Sequence, residues 1–252
     1  MCGWQRRSDA ITTPAPAGVS RGVQRAYATQ HLQSCARALL GRTAFLSLAE
    51  RGRAALAAAG LALLVAACND GGPALPRLGP DDVVLAFGDS LTYGTGAAEQ
   101  ESYPAVLQTL IRRRVIRAGV PGEVTAQGLQ RLPGLLDEHH PRLLLLCMGG
   151  NDMLRHIDPA DTEANLRAMI AMAKERGMGV VLIGVPQPQL LGGTAEVYRK
   201  LARESDIPLE NQILEDVLHD SAYKSDLIHP NARGYRRVAE ALAKLLHRAG
   251  AV

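Results

Sequence analysis

Three short stretches hold residues with chemistry to offer: "GDSLTYGTG" (88–96), "CMGGNDML" (147–154) and "DLIHPNARGY" (226–235). A serine hydroxyl is a poor nucleophile until an imidazole takes its proton, and the imidazole needs a carboxylate to fix its tautomer and stabilise its cation. Ser90, His229 and Asp226 are residues of these three types. Pro230 biases His229 away from helical geometry and Asn231 is a good N-cap, so His229 is expected on a constrained turn before a helix. Asn151 offers an amide donor suited to a developing oxyanion, with Gly149 and Gly150 beside it to permit close backbone approach. A fourth stretch, "AGVPGEVT" (118–125), adds the N–H of Gly122. Each piece taken alone has a plainer meaning. Gly-Asp-Ser is a turn, Asp-x-x-His is a surface turn, and Asn151 or Asp152 is a cap.

Two other chemistries drop out at once. A dinucleotide-binding fingerprint would need a third glycine after Gly94 and Gly96, where Glu99 stands. A Gly-x-Ser-x-Gly elbow would need glycine at Thr92. There is no His-Glu zinc motif, and neither metal nor other cofactor is expected.

The elements that must position these residues alternate. Strand-like runs fall at 83–87, 114–120, 142–148 and 179–185, with a weaker one near "IPLEN" (207–211). Helical patterns lie at about 103–113, 124–139, 160–176, 194–205 and 231–248. Three runs are continuously apolar, as strands of a parallel sheet covered on both faces must be. The expectation is a three-layer α/β domain over 81–252, with its site where the strands' carboxyl ends meet the loops. Gly88 is expected to turn the chain through a backbone conformation closed to other residues. Pro133 is expected to break the second helix or to start its second half.

The 252-residue chain is 47% hydrophobic, ample for a packed core. Eight of its 28 basic residues, all Arg, precede position 68, against two acidic ones there; the remainder carries 20 basic and 23 acidic residues. That balance argues against a nucleic-acid partner. The arginines lead into an uncharged run of 14 residues, Ala54–Ala67, shorter than the roughly 20 of a membrane-spanning helix but fitting a secretion signal. "VAAC" (65–68) resembles a bacterial lipobox, which implies cleavage before Cys68, a diacylglyceryl group on its sulfur, and a membrane-anchored lipoprotein in the periplasm or otherwise outside the cytoplasm. A buried Ala-rich helix is the plainer alternative. The organisation expected is an extension (1–48), disordered or preceding the true start, then a signal (49–67), a Gly/Pro linker (68–80) and the catalytic domain (81–252). No disulfide is expected, since Cys2 and Cys35 precede the cleavage, Cys68 is lipidated and Cys147 lies in an apolar strand.

Together "GDSLTYGTG", "AGVPGEVTAQGLQRLPGLL", "GGNDMLR" and "DLIHPNARGY" resemble the SGNH (GDSL) hydrolases, and more narrowly their secreted arylesterase and thioesterase/lysophospholipase branch, over about 82–245. The resemblance implies a flavodoxin-like sandwich with a five-stranded parallel sheet. It also implies Ser90 as nucleophile, His229 as general base and then acid, and Asp226 as its orienting partner. The oxyanion hole would be the N–H groups of Ser90 and Gly122 and the side chain of Asn151. That branch commonly has Asn where Arg117 stands here. In relatives the loop holding Leu190 and Leu191 helps contact the acyl chain. The expected activity is hydrolysis of aryl or acyl esters, lysophospholipids or thioesters; the rivals are a carbohydrate deacetylase of the same family and a lipoprotein that only binds.

Overall fold

The leucine run Leu143–Leu146 has no polar side to offer water, so a strand built from it must be covered on both faces. In the computed structural model, which describes residues 72–187 and 195–252, it forms the central strand of the sheet, buried throughout. Cys68, Leu190 and Leu191, and the expected segments 1–48 and 49–67, lie outside the described residues.

In chain order the strands are β1 (Val83–Gly88), β2 (Arg114–Gly119), β3 (Leu143–Cys147), β4 (Gly179–Ile183) and β5 (Leu209–Glu210). They pair in parallel in the order β2-β1-β3-β4-β5. β2 tolerates Arg114 and Arg117 because it is an edge. The helices are α1 (Ser90–Tyr93), α2 (Tyr103–Ile111), α3 (Thr125–His139), α4 (Gly150–Leu154), α5 (Pro159–Glu175), α6 (Glu196–Ser205), α7 (Ile213–His219) and α8 (Ala232–Arg248). The crossover from β1 runs outward to β2, while the later ones run the other way. Right-handed crossovers of opposite direction lie on opposite faces of a sheet. Accordingly α2 packs with α8 and α3 packs with α5, making the three layers. The reversal leaves a crevice at the carboxyl ends of β1 and β3, where this topology binds ligands.

Three features differ from the reading of the sequence. α3 runs unbroken through Pro133, because Gly128, Leu132 and Leu136 bury one face on the sheet and only the Leu129 carbonyl loses its intrahelical donor. α1, α4 and α7, with four, five and seven residues, are too short for a helical period to show. Leu75 and Leu78, in the stretch expected as linker, donate their N–H groups to the carbonyls of Ala249 and Ala251, and Leu78 is 2% exposed. The folded unit therefore includes these residues.

Candidate active site

β1 stops where α1 must begin, and Gly88 makes the join possible by its size. A Cβ there would lie 2.2 Å from Thr92 Oγ1 and 2.3 Å from the Cys147 carbonyl oxygen. Its φ is not in the left-handed region, so room, and not the conformational freedom expected from the sequence, is the reason for glycine. Asp89 then caps α1: its Oδ1 accepts from the Leu91 N–H at 3.0 Å. Ser90 is left as the first residue of the helix, at the carboxyl edge of the sheet.

His229 reaches Ser90 from the far end of the chain. Its Nε2 lies 3.0 Å from Ser90 Oγ, and its Nδ1 lies 2.8 Å from Asp226 Oδ2. The other oxygen of Asp226 accepts from the N–H groups of Ile228 (2.9 Å) and His229 (2.8 Å), which ties the turn into a rigid loop. Ser225 closes that loop by donating its N–H to the His229 carbonyl at 3.0 Å. Asn231 caps α8 by accepting from the Gly234 N–H.

The two segments meet at Gly96. Its φ of 98° is one that L side chains rarely adopt, and a Cβ would fall 2.0 Å from Ser225 Oγ and 2.6 Å from the Pro230 carbonyl oxygen. Tyr235, buried at the start of α8, adds a hydrogen bond to the Thr95 carbonyl at 2.8 Å. A glycine and a tyrosine thus dock the loop carrying Asp226 and His229 against the turn after Ser90.

Asn151, at the start of α4, points its amide into the crevice between β1 and β3. Nδ2 donates to Asp89 Oδ2 at 3.2 Å and to the Glu123 carbonyl at 3.0 Å. Both partners are acceptors, which fixes the orientation of the amide. The Gly122 carbonyl accepts from Arg155 at 2.7 Å, while the N–H groups of Gly122 and Ser90 have no partner among the described residues. Glu123 is pinned by a bidentate pair with Arg131, at 2.8 and 2.6 Å. Asp152 is buried and accepts from Thr125, joining the start of α3 to α4. Arg117 bonds the Tyr93 carbonyl at 2.6 Å, pairs with Glu99 at 3.0 Å and lies over the Tyr93 ring. In this chain that arginine ties β2 to the end of α1.

Two carboxyls differ in charge tendency. Burial pushes Asp89 up to about 6, against the lowering effects of its Leu91 hydrogen bond and of His229. Burial also acts to raise Asp226, but the hydrogen bonds from the His229 ring and from two backbone N–H groups outweigh it, holding the carboxyl below its ordinary value. Burial pushes the Cys147 thiol well up, which makes it an inert packing group.

A cleft of about 560 Å³ opens over Ser90, within the range of small-molecule sites. Its floor is polar, with Asp89, Ser90, Asn151 and His229; its walls include Leu154, Val185, Pro186, Leu227 and Ile228. A second hollow, of about 670 Å³, shares Leu154 and Gln187 with it and extends to Ile157 and Tyr198. Asp89, Arg155, Leu227 and Ile228 stand at the site although the motifs do not single them out. The signal for the last two was available, since "DLIH" sets two apolar residues in a turn between an acid and a base.

Residues 86–237 match the profile of the GDSL-like Lipase/Acylhydrolase family. The chain belongs to that family. Among GDSL relatives, the Thioesterase 1/protease 1/lysophospholipase L1 of Escherichia coli K12 is 34% identical over 178 residues, which is 68% of this chain and 86% of the relative. The Arylesterase of Vibrio mimicus is 32% identical, over 65% of this chain and 87% of its own. Among solved structures, TesA superposes with a TM-score of 0.63 at 31% identity, over 67% of this chain and 99% of its own. AlinE4, an SGNH-hydrolase family esterase, superposes at 0.54 with 36% identity, over 69% and 98%. This GDSL protein is accordingly an enzyme, a carboxylic ester hydrolase on an α/β fold with a five-stranded parallel sheet.

Proposed function

We propose that Ser90, His229 and Asp226 act as a catalytic triad and that the chain hydrolyses aryl and acyl esters through an acyl-enzyme. The unbroken row from Ser90 Oγ to His229 Nε2 (3.0 Å), and from Nδ1 to Asp226 (2.8 Å), is the observation that carries this reading. His229 takes the Ser90 proton as Oγ bonds to the ester carbonyl carbon. It returns that proton to the alcohol oxygen as the carbon–oxygen bond breaks. Asp226 fixes the ring with Nδ1 protonated and Nε2 free to accept. Water, deprotonated by the same imidazole, then releases the acid and restores Ser90.

The oxyanion is met by the N–H groups of Ser90 and Gly122 and by Asn151 Nδ2. Asn151 already spends both protons, so the longer contact, 3.2 Å to Asp89, gives way or is shared as charge develops. The acyl chain runs along Leu154 and Pro186 toward the second hollow; Leu190 and Leu191, outside the described residues, stay candidates for substrate binding on the sequence alone. The relatives' names make lysophospholipids and acyl thioesters the next substrates to examine. No Phe, Tyr or Trp lines the cleft among its described residues, which disfavours a stacked sugar ring. The basic flank, the apolar run and Cys68 support export and a lipid anchor outside the cytoplasm.

The test is hydrolysis of p-nitrophenyl esters of graded acyl length by Ser90→Ala and His229→Ala. Each is expected to lose about 10³-fold or more in kcat. Full activity in Ser90→Ala would remove the nucleophile from this account.

A further inference from the structure

A hydrolase that leaves through one imidazole has its substrate's orientation fixed by that imidazole. If His229 protonates the departing oxygen, as proposed above, the alcohol must lie on the His229 side of Ser90, opposite the Asn151 amide. The cleft divides accordingly. Lys224, Leu227, Ile228 and His229 reach it from the loop before α8, and Asn151, Leu154, Val185 and Pro186 from α4 and the chain after β4.

We propose that Leu227 and Ile228 form an apolar lip that receives the departing alcohol, so that the enzyme favours esters of apolar, aryl-like alcohols over esters of polar, glycerol-like ones. Leu227 is 87% exposed and Ile228 is 41% exposed. One exposed leucine means little on a protein surface. Here, however, two adjacent ones line the mouth of the cleft directly before the imidazole. The main chain that carries them is held in place, because Asp226 Oδ1 accepts from the N–H groups of Ile228 and His229, and the His229 carbonyl accepts from the Ser225 N–H. An aromatic or alkyl leaving group resting on this lip releases water from it. A glycerol moiety gains nothing there, and its hydroxyls lose solvent. The lip touches only the alcohol, which departs with acylation, so it acts on acylation and not on the acyl-enzyme that remains.

The experiment compares 1-naphthyl octanoate with 1-monooctanoylglycerol, two esters of one acid, in wild type, Leu227→Asn and Leu227→Met. Exposure of the side chain makes both substitutions safe for folding, checked by thermal melting. The expected result is a loss of about 10-fold in kcat/KM on the naphthyl ester in Leu227→Asn, under about 2-fold on the glycerol ester, and recovery in Leu227→Met. Deacylation, read after the naphthol burst, keeps its wild-type rate because the alcohol has by then left the lip. Equal losses on the two esters would overturn the proposal. So would a changed preference between butanoyl and octanoyl naphthyl esters, which would mean that the lip reads the acid. A lysophosphatidylcholine rate exceeding that on the naphthyl ester would overturn it too and give Lys224 the deciding part. Failure of the triad itself shows separately, as activity surviving in Ser90→Ala.

Discussion

Asp89 stands beside Ser90, the proposed nucleophile, with both oxygens engaged, one capping α1 and one on Asn151. Its burial has a thermodynamic consequence. A carboxyl raised from 3.8 to about 6 binds its proton more tightly when folded, so its contribution to stability is full at low pH and is lost as pH rises through about 6. Asp89→Asn cannot ionise. Its amide meets the Asn151 donor badly, but that cost does not vary with pH. Between pH 4 and pH 7 the stability of the variant relative to wild type should therefore move in the variant's favour by about 2 kcal/mol. Urea melts of both proteins at the two values measure it. A difference that stays constant with pH would mean that Asp89 ionises as freely in the folded state as in the unfolded one.

At the scale of elements, the geometry of the proposed triad depends on two loops pressed together with no space between them. Gly96→Ala puts a methyl group into Ser225 and Pro230 and imposes a strained backbone, so the loop carrying His229 must shift. A loss of about 10²-fold in kcat/KM is expected, with about 1–3 kcal/mol of stability. Gly250→Ala is the control. It carries the same kind of backbone penalty at φ 79°, but with nothing within 4 Å of the new methyl group. It should cost stability, by about 1–2 kcal/mol, and leave kcat/KM unchanged. α3 offers an opposite case. Its packing carries Pro133, and Pro133→Ala restores an N–H for the Leu129 carbonyl. An increase of about 1–3 kcal/mol is expected in chemical denaturation.

For the molecule as a whole, the first described residues are part of the core. Leu78 lies under the C-terminal end of α8, held by hydrogen bonds to Ala251 and from Arg113. Leu78→Ala should cost about 2–5 kcal/mol, as for other buried leucines. A chain beginning at residue 81 should melt well below one beginning at residue 72, although neither change touches the cleft. Equal melting temperatures would show that the segment only rests on the domain. These residues join the amino-terminal edge of the sheet, near Val83, Arg114 and Gly179, whereas Ser90 and Asn151 lie at its carboxyl edge. Changes at the amino-terminal edge should therefore alter stability and leave the rate untouched, whereas changes at the carboxyl edge reach the rate as well.

The sequence by itself determined the fold class, because apolar runs such as Leu143–Leu146 leave a strand no choice but burial on both faces. It also displayed the candidate chemistry, since a serine, an acid, a base and an amide stand in short stretches with turn and cap residues around them. Only the tertiary structure decided how those stretches meet. Ser90 and His229 are 139 residues apart and lie at 3.0 Å because Gly96 lets two loops touch, a condition that no local periodicity expresses. The same holds for Gly88, required for space between α1 and β3, and for the Asp89 carboxyl that holds Asn151. The sequence sets Leu227 in a turn between an acid and a base but says nothing of a cleft beside it. Its place at the cleft mouth follows from the hydrogen bonds that pin the turn, and those depend on the folded loop.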